Sequence, residues 1–235
     1  MTTRPRLLDL FCCAGGATRG YQDAGFHVTG VDIRAQPHYI GDDFHQGDAI
    51  EFVRKHGHAF DVIHASPPCQ AHTPAQRIQN RPHPDLIAPV RHALQAADKP
   101  YVIENVPGAP LRNPLILCGT MFGLRTYRHR GFEVTPGLLI PAPAHPAHTA
   151  PLAKMGRPVG EGEFMHIVGN FSGVPLARQI MGMPWATRDE LREAIPPAYT
   201  RYLGRHLLTA LNGAVVGAVP LQLPLPGLLT VGARS

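Results

Sequence analysis

The sequence predicts an α/β fold built on a mostly parallel sheet, and three observations carry that prediction. Short apolar runs recur through the first hundred residues, helical stretches separate them, and each run ends in a polar or turn segment. This is the pattern of βαβ units, whose helices cover the faces of parallel strands. RLLDLF at 6–11 reads as a buried strand passing into a glycine-containing turn at 12–16. A helix follows over 18–24, Gly25 suits its stop, and HVTGVD at 27–32 reads as the second strand. Asp42 and Asp43 read as a solvated turn. Helical patterning over 48–56, an apolar strand at 60–65, a helix over 84–97 and a strand at 101–104 complete the regular part.

Beyond residue 107 the regularity weakens. Residues 131–165 include PGLLIPAPAHPAHTAPL, too proline-rich for a sustained helix or a central strand, and read as an irregular surface segment. Helices are predicted again over 176–183, 187–194 and 198–211. The last residues are apolar but broken by Pro220, Pro224 and Pro226, as in an extended or frayed tail.

A chain of 235 residues, 44% hydrophobic and 17% charged, suffices for one packed domain with a small appendage. Its 24 glycines and 25 prolines, without a repeat, describe a loop-rich globule rather than a collagen-like or disordered polymer. No apolar run approaches the roughly 20 residues of a membrane-spanning helix, and the N-terminal residues lack a secretory stretch. A soluble, cytoplasmic protein without a membrane partner is expected. The charge is asymmetric: residues 1–105 carry 10 basic and 11 acidic side chains, residues 106–235 carry 12 and 6. Arginine makes up 19 of the 22 basic residues, and its planar fork suits phosphates and base edges, so the second part suits a polyanionic partner.

Four clusters carry candidate chemistry. In DLFCCAGG at 9–16, small residues let the chain turn sharply and bring backbone N–H groups near a ligand, while Asp32 at the next strand end can accept from a ribose. This is a nucleoside-cofactor arrangement, and the lack of GxGxxG separates it from dinucleotide enzymes. In SPPCQ at 66–70, two prolines stiffen a loop that presents Cys69 at the carboxyl end of the sheet, the fixed exposure a nucleophile needs. YVIENV at 101–106 delivers Glu104 and Asn105 at a strand end, where a carboxyl can be a proton donor near neutrality or a loop anchor. In YRHR at 127–130, Arg128 and Arg130 alternate to one side of an extended strand, to orient an anion or carbonyl or to form a solvated edge.

Cys12, Cys13, Cys69 and Cys118 lack CxxC spacing, which argues against a disulfide scaffold and a cysteine-built zinc site. His56/His58 and His145/His148 have spacings a metal site can use, but no acidic or cysteine partners sit nearby in sequence. They read as surface histidines, and no metal is expected. Trp185 reads as a packing anchor.

Taken together, these motifs resemble the cytosine-C5 DNA methyltransferase family from Leu8 to about Leu208, in the family's order. DLF…GG resembles motif I, Asp32 the ribose-binding acid of motif II, Gly47-Asp48 the adenine-contacting motif III, PPCQ motif IV, ENV motif VI and Arg128-His-Arg130 the end of motif VIII. The resemblance implies a Rossmann-like AdoMet-dependent methyltransferase fold with S-adenosyl-L-methionine as cofactor. It assigns catalysis to Cys69, Glu104, Arg128 and Arg130, and cofactor binding to Asp9, Phe11, Ala14, Gly15, Gly16, Asp32, Ile33, Asp48, Ala49 and Pro67. Cys69 would attack C6 of a flipped cytosine, Glu104 would protonate N3, and Arg130 with Arg128 would fix the pyrimidine carbonyl and the loop. Cys13 stands where motif I usually has glycine, Thr126 is nearest to an absent glutamine before motif VIII, and ARQIMGMPW resembles motif IX with Arg178 as anchor. IPPAY at 195–199 occupies the place of motif X without its Gly-Asn.

The same resemblance divides the chain into an AdoMet-binding catalytic domain (1–130), a reduced target-recognition region (131–176), C-terminal helices completing the catalytic domain (177–213) and a proline-containing tail (214–235). The implied partner is double-stranded DNA, met by a monomer with or without an accessory partner, in a bacterial or phage-infected cell. A short recognition region implies a short or relaxed target. An RNA (tRNA) methyltransferase and a non-catalytic nucleic-acid-binding module on the AdoMet fold are the alternatives.

Overall fold

The computed structural model describes residues 4–69, 85–154 and 156–213; Gln70, Pro84 and the predicted tail at 214–235 lie outside them. In chain order the elements are β1 (Arg6–Leu10), α1 (Gly16–Ala24), β2 (His27–Asp32), β3 (Asp43–Gln46), α2 (Ala49–His56), β4 (Val62–Ala65) and α3 (Ile87–Ala96). They continue with β5 (Tyr101–Asn105), β6 (Leu115–Leu117), β7 (Arg130–Val134), α4 (Val174–Met181), α5 (Arg188–Glu193) and α6 (Pro197–Leu211). The seven strands form one sheet in the order β3-β2-β1-β4-β5-β7-β6. β1, β2, β3, β4 and β5 pair in parallel, whereas β7 runs antiparallel to both β5 and β6. The strand order reverses between β1 and β4, the switch point where open α/β sheets bind ligands.

Period-two alternation sorts the strand residues into two cores. Leu7, Val28, Val62 and Val102 face α1 and α6, packing with Tyr21, Tyr199 and Leu203. Leu8, Val31, Ile63 and Ile103 face α2 and α3, packing with Val53, Val90 and Leu94. A third cluster joins Met165, Ile167 and Phe171 to Ile180, Met183 and Leu191 around α4 and α5.

α1 and α6 approach closely because glycines line the contact. A Cβ on Gly20 would come within 2.1 Å of the Pro197 carbonyl and of Thr200 Oγ1, and one on Gly204 within 2.7 Å of Ala24. The Thr200 hydroxyl donates to the Ala17 carbonyl at 2.8 Å across the same contact.

Two expectations are corrected here. Asp43 is not in a turn but begins the edge strand β3, and Asp42 ties that strand's approach to Arg4 and to the Val28 N–H. The segment after residue 130 is not irregular at its start: β7 pairs along β5, and Glu133 within it takes a buried two-point contact from Arg91, with both N···O distances 2.7 Å. The strand therefore crosses the 130/131 boundary. Farther on, Leu138 and Ile140 pack against the α1/α6 core and the Tyr202 hydroxyl donates to the Pro141 carbonyl at 2.6 Å, so this stretch is only partly surface. Among the described residues no helix is long and apolar enough to cross a membrane.

Candidate active site

The carboxyl ends of β1, β2, β4 and β5 open onto a cavity of about 430 Å³. One end is lined by Asp9, Phe11, Cys13, Gly16, Asp32 and Ile33, the other by Ser66, Pro67, Cys69, Glu104 and Arg130. The sheet topology thus unites both groups of predicted residues. Arg34, Pro68 and the stretch from Arg192 to Ile195, which ends α5 and begins the α5–α6 connection, also line it.

At the first end the turn after β1 is tight. Gly15 has φ +85°, as suits glycine, but Phe11 and Cys13 also have positive φ, +60° and +45°. An L-residue there costs about 1 kcal/mol, so Phe11 and Cys13 carry local strain. Gly16 begins α1, where a Cβ would meet the Ile195 carbonyl at 2.7 Å, so only a bare backbone fits beneath the α5–α6 connection. The Trp185 indole donates to the Ala14 carbonyl at 2.9 Å and holds the turn from the other side.

Two carboxylates mark this end. Asp32 accepts from the Cys13 N–H at 3.1 Å and from the Arg34 N–H at 3.0 Å, and each oxygen can accept again. Asp9 accepts from the Thr18 hydroxyl at 2.5 Å through Oδ2, while its buried Oδ1 has no hydrogen-bond partner among the described residues. Burial pushes the Asp9 carboxyl up to about 7, against the lowering effect of Thr18. Ile33 stands 64% exposed at the cavity, an apolar side chain open to a ligand face.

At the second end Cys69 follows Pro67 and Pro68, and the Asn105 amide donates to the Pro67 carbonyl at 3.0 Å. Arg130 Nε lies 3.1 Å from Glu104 Oε1. Burial raises the Glu104 carboxyl, while Arg130 and the Ser66 hydroxyl draw it back down. Burial likewise raises the Cys69 thiol, with Arg130 the main influence favouring thiolate and Glu104 opposing it. Behind them, Tyr21 Oη and His64 Nδ1 are 3.0 Å apart, and His64 Nε2 lies 2.9 Å from Ser66 Oγ. Burial lowers His64 to about 3, so a neutral imidazole positions Ser66 against Glu104.

Some predicted site residues lie elsewhere. Arg128 does not line the cavity: its buried guanidinium donates to the carbonyls of Ile167, Arg192 and Ala194, so it fixes the α5–α6 connection rather than reaching a substrate carbonyl. Asp48 caps α2, accepting from the Glu51 N–H at 2.8 Å, and neither it nor Ala49 lines the cavity. Ala14 and Gly15 shape the turn without lining it. Arg178 donates to the Ala186 carbonyl at 2.7 Å, an anchor for the turn after α4. His64 and Ser66 were missed as site residues, although a histidine within the apolar run FDVIHA was the available signal.

His56, His58, His145 and His148 are exposed, as the sequence suggests. His145 and His148 lack a cysteine partner in sequence, but the fold brings Cys118 Sγ to 3.3 Å from His148 Nε2 and places His129 beside them. The ends of β6 and β7 meet at the sheet edge, which joins residues far apart in the chain.

No family model and no curated protein matches this sequence. Solved structures do match. A prophage-encoded E. coli protein described as a DNA modification methyltransferase has a TM-score of 0.60 at 14% identity, over 88% of this chain and 99% of that chain. The S. pombe Dnmt2 methyltransferase has a TM-score of 0.60 at 14% identity, over 89% of this chain and 100% of that one. The Entamoeba histolytica methyltransferase EhMeth follows with 0.55 at 12% identity, over 89% and 99%. The likeness bears out the predicted fold class: this chain has the α/β fold of AdoMet-dependent methyltransferases, a seven-stranded sheet flanked by helices.

Proposed function

We propose that this chain is a DNA cytosine-5-methyltransferase, which transfers the methyl group of S-adenosyl-L-methionine to C5 of a cytosine flipped from double-stranded DNA. One observation carries the reading: Asp9, Phe11, Asp32 and Ile33 share a single cavity with Cys69, Glu104 and Arg130. The cofactor is cationic and carries a ribose and a purine. The unpartnered Asp9 oxygen suits its positive charge, Asp32 its ribose hydroxyls, and Phe11 with Ile33 an aromatic face. Bound AdoMet supplies an electrophilic methyl group.

The remaining work belongs to the protein. C5 of an aromatic pyrimidine is a poor nucleophile until another nucleophile adds at C6. The Cys69 thiolate forms the S–C6 bond, and the displaced π-electron pair makes C5 nucleophilic. Glu104, whose carboxyl burial raises, donates a proton to N3 and takes up the developing charge. Arg130 favours the thiolate and orients Glu104. After methylation the C5 proton passes to water, its bonding pair restores the C5–C6 double bond as the S–C6 bond breaks and Cys69 leaves as thiolate, and the N3 proton returns to Glu104. Arg128 acts as a positioning residue, through the connection that roofs Gly16. The short 131–176 region suits a short or relaxed target, or recognition aided by a partner.

The test incubates purified protein with tritiated AdoMet and either duplex DNA or tRNA, followed by mapping of methylated cytosines. Label in duplex DNA is expected. Label in tRNA alone would move the substrate to RNA, and no label in either would overturn the enzyme reading. Cys69→Ser should lose covalent trapping on DNA containing 5-fluorocytosine while still binding AdoMet; an undiminished adduct would assign the nucleophile elsewhere.

A further inference from the structure

Cys118, His129, His145 and His148 converge outside the cavity just described. Their ligating atoms all lie within 4.8 Å of one another. Cys118 Sγ and His148 Nε2 are 3.3 Å apart, and His148 Nε2 and His145 Nε2 are 3.2 Å apart. Ligands on a tetrahedral zinc ion, with Zn–S about 2.3 Å and Zn–N about 2.0–2.1 Å, are separated by about 3.3–3.6 Å. Those two separations are close to such edges, and with every pair within 4.8 Å small rotations of the side chains complete the set.

We propose that these four residues bind one zinc ion in a closed, structural site. A thiolate with three imidazoles is a donor set suited to zinc rather than to magnesium or calcium, which take oxygen ligands. With four protein ligands no position remains open for water or substrate, so the ion is structural rather than catalytic.

The surroundings are built to hold these donors. Cys118 is fully buried at the end of β6, and its sulfur lies 3.2 Å from the Thr120 hydroxyl, which can donate to a thiolate. The His148 ring stacks on Tyr127 with centroids 3.8 Å apart, and the Tyr127 hydroxyl donates to the Ala150 carbonyl at 2.6 Å, fixing the following backbone. His129 sits between Arg128 and Arg130, directly before β7. The ion therefore clamps the proline-rich segment at 145–148 to the β6–β7 connection, beside the arginine that faces Glu104. That segment has little regular structure of its own; the isolated bridge between Leu152 and Phe164 is its nearest sheet-like contact. A metal is the means by which a stretch too short for its own core becomes ordered.

The inference stands independently of the methyl-transfer reading, and its test reads metal rather than activity. Full-length protein purified without chelators is dialysed against metal-free buffer and its zinc measured by inductively coupled plasma mass spectrometry. One zinc per chain is expected. Replacement by cobalt(II) should give tetrahedral d–d bands and a thiolate-to-cobalt charge-transfer band. Cys118→Ser should abolish the charge-transfer band, whereas Cys69→Ser should leave it unchanged. His145→Ala, at an exposed position that leaves the fold intact, should weaken zinc binding roughly 100-fold. It decides the matter even if Cys118→Ser does not fold. A chain that retains no zinc when supplied with it, or zinc binding indifferent to His145→Ala, would overturn the proposal. So would a charge-transfer band that survives Cys118→Ser.

Discussion

The Asn105 amide donates to the Pro67 carbonyl across 3.0 Å, tying the end of β5 to the loop that carries Cys69. The bond is buried, so its removal leaves the Pro67 carbonyl without that donor and lets the loop drift. Asn105→Ala should slow single-turnover methyl transfer by about 10- to 100-fold, because a displacement near 1 Å at a nucleophile has that effect. AdoMet affinity, measured by calorimetry, should change less than about twofold, since the residue lies away from the Asp9 end.

Arg130 is the largest influence drawing both Cys69 and Glu104 towards their ionised forms. Arg130→Met should move both groups upward in pKa. Alkylation of Cys69 by iodoacetamide, followed by mass spectrometry across pH 6 to 10, should then need more alkaline conditions than in wild type. At pH 8 the variant should react several-fold more slowly. An unchanged profile would separate Arg130 from thiolate formation.

Asp9 gives the fold a pH dependence with a definite sign. Its native carboxyl is raised to about 7, whereas an unfolded aspartate titrates near 3.9. Between these values the native state holds a proton that the unfolded state has released, so this group's contribution falls as pH rises from about 4 to 7. Asp9→Asn removes the effect. Relative to wild type, the variant should gain about 2–3 kcal/mol between pH 5 and pH 8, read from urea denaturation at both values. It should also lose the rise in AdoMet affinity expected of wild type as pH passes through 7 and the carboxylate forms.

Gly20 tests the contact of α1 with α6. A Cβ would overlap the Pro197 carbonyl and Thr200 Oγ1, atoms fixed by backbone or by a bond to Ala17. Gly20→Ala should cost about 3 kcal/mol or more and lower the thermal midpoint by several degrees, despite alanine's better helix propensity. An exposed-site Gly→Ala change would have the opposite sign.

Where hydrophobic pattern and turn chemistry agree, the sequence was informative. β2 matches its expected 27–32 range, and Gly25 stops α1 with φ +118°. β3 escaped because DFHQ is an exposed edge strand with no buried face to impose alternation. β6 is only three residues long, and β7 was hidden at the start of a proline-rich stretch. Within the candidate site, Asp32 and Glu104 were legible because each stands at the carboxyl end of an apolar strand, and Cys69 because it follows one closely. The Arg192–Ile195 lining was not, because tertiary packing alone returns the α5–α6 connection to the β1 turn. Arg128 and Arg130 look equivalent in sequence; in space one is saturated by carbonyls and the other faces Glu104.

The reversal of β7 also sets a minimum length for the chain beyond it. Arg130 starts the strand beside the cavity, and Val134 leaves it opposite Val102, toward the far edge of the sheet. To bring His145 back to Cys118, residues 135–144 must retrace that depth, roughly 16 Å for a five-residue strand. Ten extended residues reach at most about 33–36 Å. The strap therefore has slack for a detour over α6, where Tyr202 holds Pro141; halved, it would reach only about 16–18 Å, the depth itself, and the detour would be lost.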